Sequence, residues 1–148
     1  MDSQNIEKNI LLEQYKSYMN NLNEIGNQHS QTRGFYVSII SALLVFLSLT
    51  GPKEALGNIS FIGQFAVALL GIILCIAWFI HTLAFGKLFY AKFYILKEME
   101  KELHFQIFDK EWKKLQEIKY TLLTKIESFV SLAVLIPFII LLYSLYCR

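Results

Sequence analysis

Charge is scarce in this chain. Acidic and basic residues fill 18% of its 148 positions, whereas soluble globular chains carry about a quarter. The shortage is concentrated in three stretches, 34–50, 61–85 and 129–146, which hold no Asp, Glu, Lys or Arg. Cysteine is nearly missing too. Cys75 lies inside an apolar run and Cys147 far from it, which argues against a disulfide framework or a CxxC metal site. His29, His81 and His104 are dispersed without ligand spacing, so no metal is expected. No P-loop, dinucleotide fingerprint or nucleophile elbow occurs, so the chain reads as a non-enzyme without cofactor. The net charge of +2 comes with no basic stripe interleaved with stacking aromatics, which excludes a nucleic-acid partner. The first apolar run starts only near Gly34, which argues against a cleaved secretory leader.

What is present is apolar. Hydrophobic residues reach 55%, with a mean hydropathy of +0.42. A spanning helix needs about 20 mostly apolar residues. Runs 61–85 and 129–146 approach or exceed that length, and 34–50 does so with its flanks. None alternates as a barrel strand would, so helices are the remaining way to satisfy the backbone in lipid. Lysine and arginine then set the topology. The segment before Gly34 holds Lys8, Lys16 and Arg33, and the segment between the second and third runs holds nine lysines from Lys87 to Lys125. The first connection, 51–60, holds only Lys53, beside Glu54. The positive-inside rule places the N-terminus and the lysine-rich segment in the cytoplasm, and the C-terminus in the periplasm.

The polar segments carry helical periodicity. Leu11, Tyr15, Tyr18, Leu22 and Ile25 alternate spacings of four and three. So do Phe85, Phe89, Lys92, Leu96, Met99 and Leu103, and so do Trp112, Leu115, Lys119, Leu122, Ile126 and Phe129. This is the period of helices packed side by side. The expected fold class is an all-α membrane protein, three transmembrane helices extended into a cytoplasmic, coiled-coil-like helical stalk. The expected divisions are an amphipathic N-terminal helix (1–33), a first span (34–50), an external loop (51–60), a second span (61–85), a cytoplasmic helical hairpin (86–128), and a third span with the external C-terminus (129–148). Gly51-Pro52 should stop the first helix, and Asn58 or Ser60 should cap the second. Residues 104–109 read as a turn, with Asp109 as N-cap of the following helix. Pro137 should kink the third span locally.

Several features admit two readings. Gly34, Ser38 and Ala42 form a small-residue series, as do Gly63, Val67, Gly71 and Cys75. Such series let helices approach closely, within one chain or between subunits. The candidate subunit-interface residues are Leu11, Tyr15, Tyr18, Leu22, Gly34, Ser38, Ala42, Gly71, Cys75 and Trp112. Trp78 and His81 read as interfacial anchors. Serines within the runs can bond to their own helix backbone. Glu98, Glu100, Glu102, Glu111 and Glu117 read as a solvated face paired with lysines.

With these elements placed, the chain resembles RipA, a bacterial family of small inner-membrane proteins described as octameric. The likeness rests on LLEQYKSYMNNL (11–22), RGFYVSIISALL (33–44), GIILCIAWFI (71–80), AKFYILKEMEKEL (91–103), FDKEWKKL (108–115) and YTLLTKIESFV (120–130). The polar pieces LEQYK, KEMEKEL and FDKEW are the specific ones. The resemblance implies a homo-octamer in the bacterial cytoplasmic membrane, and for the family's namesake a part in intracellular growth of a pathogen. It supplies no catalytic residues. The expected function is therefore a scaffold or interaction role, with the chain itself, membrane lipid and an unidentified cytoplasmic protein as partners. The alternative is an oligomeric channel or pore, which liposome flux would distinguish.

Overall fold

The computed structural model describes residues 2–50, 61–104, 106–117 and 123–147. They form four helices: α1 (Asp2–Thr50), α2 (Phe61–Glu102), α3 (Ile107–Glu117) and α4 (Leu123–Tyr146). No strand occurs among the described residues. Neither α1 nor α2 contains proline, and an internal glycine costs only about 1 kcal/mol against Ala. That explains how 49 and 42 residues remain unbroken. Three helices, α1, α2 and α4, are long and apolar enough to cross a membrane.

The stop at Gly51-Pro52 and the caps Asn58 and Ser60 lie outside the described residues, as do Lys119 and Leu122 of the third seam. Of the described members of that seam only Leu115 is half-buried. Trp112, Ile126 and Phe129 are exposed, and α4 instead buries Glu127, Ser131, Phe138 and Leu145. Those residues stand four, seven and seven apart, which fits the same 3.5-residue period in another phase of the helix. Asp109 sits inside the first turn of α3 rather than at its N-cap.

The chain divides into two compact units: residues 1–30 with 84–122, and residues 31–83 with 123–148. In the first, α1 and α2 run antiparallel. Tyr15 meets Glu100, Asn21 meets Lys92, and His29 stacks on Phe85 with ring centroids 3.7 Å apart. An aromatic ladder continues through Phe85, Phe89 and Phe93 to Phe108 of α3, each step near 5 Å. Such pairs add about 0.5–1.5 kcal/mol beyond their buried area. Lys92, which interrupts the apolar seam, is accommodated by its reach. Its ammonium bonds Asn21 at 2.7 Å and lies 4.6 Å from the centre of the Tyr18 ring. The end of α2 turns through His104, whose φ of 62° is left-handed. Its N–H bonds the Lys101 carbonyl at 3.2 Å, closing the helix where glycine is the usual residue.

In the second unit, Ile40 of α1, Cys75 and Trp78 of α2 and Phe138 of α4 make the core. The buried positions of α2 here, Ala68, Gly71, Cys75, Trp78 and Thr82, are spaced three and four apart. Gly71 is required by contact. A methyl added there would land within the Phe138 ring. Ser131 and Ser48 bond carbonyls of their own helices, at 2.8 and 2.7 Å, as expected for serine in an apolar helix.

Candidate functional site

Among the described residues each unit buries one glutamate, and each glutamate ties helices together. In the unit of 31–83 and 123–148 it is Glu127, 5% exposed, near the start of α4. Its carboxyl oxygen Oε1 accepts the indole N–H of Trp78 at 3.0 Å and the hydroxyl of Thr82 at 3.3 Å. The two donors stand four residues apart, hence on one face of α2. Trp78 and Thr82 are themselves buried. Around them, Tyr36 of α1 stacks toward Trp78 with centroids 6.3 Å apart and tilts against His81 at 6.1 Å. Trp78 is therefore a buried donor rather than the interfacial anchor its position suggested. An acid buried in an apolar, span-forming helix is a functional suspect by default, because it is expensive to place there.

The other unit holds Glu100, fully buried on α2. It accepts the Tyr15 hydroxyl at 3.2 Å and the backbone N–H of Phe108 at 3.0 and 3.3 Å. The first N–H groups of a helix have no partner within it. Glu100 thus caps α3 from another helix and favours its positive end. This corrects the reading of Glu100 as solvated. Its neighbours behave as expected, with Glu98 paired to Lys101 at 2.8 Å and Glu117 to Lys114 at 3.1 Å. Asp109 pairs with Lys97 and, at 2.8 Å, with Lys113. Hydrogen bonds from those lysines pull its carboxyl down to about 2.

Tyr15 is the titratable partner of Glu100. Burial, then the nearby Glu100 charge, then their hydrogen bond push its phenol up to about 12. A raised folded value means the protonated form is the one folding favours. The contribution is complete below the unfolded value near 10 and is lost as pH rises toward 12. Alkaline titration followed by phenolate absorbance should therefore show a late step near 12. Tyr15→Phe should remove it, and persistence of that step would assign it elsewhere.

The sequence-derived interface residues fall into three groups. Leu22, Gly71 and Cys75 are buried within the chain. Leu11, Tyr15 and Tyr18 are half-buried along the α1 seam. Gly34, Ser38, Ala42 and Trp112 are exposed, and a Cβ on Gly34 would meet nothing within 4 Å. Glu127 and Glu100 were missed, although phase could have found both. Glu100 is four residues from Leu96 and three from Leu103, and Glu127 is four from Ser131 and eleven from Phe138.

Both glutamates act here as acceptors that tie one helix to another. No group of three metal-ligating side chains occurs among the described residues. The cleft lined by Lys97, Glu100, Lys101, Gln106 and Asp109 pairs no nucleophile with a base. The sequence profile of the octameric membrane protein family matches residues 12–147. No curated protein and no solved structure matches the chain.

Proposed function

The chain belongs to the octameric membrane protein family, and on that premise we propose that eight copies assemble in the bacterial inner membrane as a non-catalytic scaffold. Its N-terminal helix and the lysine-rich segment 86–128 form a cytoplasmic helical stalk that docks a protein partner. The observation that carries this reading is the outward apolar surface. Only 6% of the apolar window of α1, 28% of that of α2 and 17% of that of α4 are buried within one copy. Surface of this kind must be covered by lipid or by further copies. The exposed series Gly34, Ser38 and Ala42 supports the second option on α1, since small residues permit close helix approach where lipid supplies no hydrophobic drive.

Two measurements test the reading. Particle mass in mild detergent or nanodiscs is expected to be octameric, and a monomer across several detergents would overturn the assembly. Topology can be read from the native cysteines, because Cys147 is exposed and Cys75 buried. A membrane-impermeant maleimide added to intact cells with a permeable outer envelope is expected to label Cys147. Labelling only after the inner membrane is opened would reverse the orientation.

A further inference from the structure

We propose that neighbouring copies in the ring meet, outside the apolar spans, through two matched stripes: Glu13, Asn20 and Glu24 on α1 of one copy, and Lys101, Tyr94 and Tyr90 on α2 of the next. The inference rests on the octameric reading above and adds the contact surface.

The first observation is a register. Within one copy, Tyr15 is level with Glu100, Asn21 with Lys92, and His29 with Phe85. The two numbers in each pair add up to nearly the same value, so each position on α1 has a defined level partner on antiparallel α2. Symmetry, which the octameric reading brings with it, supplies the second step. Rotation about one axis leaves height along that axis unchanged, and closed rings use heterologous, face-to-different-face contacts. With α1 and α2 running along the axis, a residue on the outer face of α1 meets the neighbour's α2 residue at its own level.

The third step is that the level partners are chemically matched. Glu13 is level with Lys101, Asn20 with Tyr94, and Glu24 with Tyr90. Each stripe has spacings of seven and four residues, which keeps its members within about 40° of one line on a helix of 3.6 residues per turn. Both stripes lie away from the seam that joins α1 to α2, and all six residues are exposed. Tyr90 and Tyr94 are 70% and 61% exposed, and such aromatics are favoured at protein contacts. A phenol donating to a carboxylate and another to an amide give each tyrosine a partner there. Glu13 and Lys101 already hold exposed partners on their own helices, Lys16 and Glu98, each at 2.8 Å. Exposed pairs within one helix contribute little, so a change of partner meets little resistance.

Cysteine cross-linking tests the contact. In a Cys147→Ser background that leaves buried Cys75 in place, Glu24→Cys combined with Tyr90→Cys is expected to give an oxidation-dependent ladder of linked copies up to the octamer. Chains carrying only Glu24→Cys, co-expressed with chains carrying only Tyr90→Cys, should give the linked pair. Glu13→Cys with Tyr90→Cys is displaced by about 16 Å along the helices, beyond the roughly 7 Å Cα limit of a disulfide, and should give none. Should the first pair disturb assembly, Glu13→Cys with Lys101→Cys reads the same interface. An octameric mass without a ladder from either level pair overturns the interface and leaves the octamer standing. A monomeric mass for the unsubstituted chain overturns both.

Discussion

Gly71→Ala is expected to lower stability by about 1–3 kcal/mol, the usual cost of an extra methyl in a filled core. A melt in detergent followed by intrinsic fluorescence would read it as a fall of several degrees. The cause is specific. The Phe138 ring occupies the space where the alanine methyl would sit, and Phe138 has no exposed surface of its own. Trimming the ring should therefore rescue the alanine. Phe138→Leu in the wild-type background loses packing, whereas Phe138→Leu with Gly71→Ala should recover part of the combined loss. A double-mutant cycle with a coupling of at least about 0.5 kcal/mol would establish the contact. Simple additivity would mean that α2 and α4 do not meet there.

Glu127→Leu is expected to have a comparable or larger effect, for the opposite reason. Nothing is overfilled, but the Trp78 indole N–H and the Thr82 hydroxyl lose their acceptor. Stranding a buried donor costs about 1–3 kcal/mol. The membrane reference state trims this toward the lower end, since side chains in lipid find other partners when the helices separate. Glu127→Gln should be much milder, because the amide oxygen still accepts from both donors. Trp78→Phe should fall between them, as it removes one donor and leaves Thr82 bonded. Amide exchange in α4 and thermal stability in nanodiscs would rank the three. Equal losses for Leu and Gln would show that hydrogen bonding is not what Glu127 contributes.

The helices were legible because lipid imposes simple rules. Runs without charge that are long enough to span must be helical, and seams of period 3.5 extend the reading into the polar segments. The α1 seam through Leu22 and the α2 seam through Leu96 and Leu103 are packed as their spacing indicates. The site was less legible, because composition reports what a residue is and not which way its helix is turned. Glu127 precedes the apolar run by two positions, where an acid ordinarily sits among headgroups. Glu100 stands between Glu98 and Glu102, both exposed. Only the rotation of α2 separates the buried acid from its two solvated neighbours. Trp78 misled in the same manner, since a tryptophan near the end of an apolar run is usually explained by the interface. The α3 cap was hidden for another reason. Its acceptor comes from a residue eight positions earlier, across the turn at His104, and local capping rules look only at the adjoining residues.

Pro137 lies one position before the phenyl ring that fills the notch at Gly71. Proline donates no amide hydrogen, so the Ala133 carbonyl, four residues back, is released from the α-helical ladder. At that level α4 can bend without breaking a backbone bond, which makes it a natural pivot. The ring seated in the notch at Gly71 thus braces α4 at the level where its own backbone ladder resists bending least.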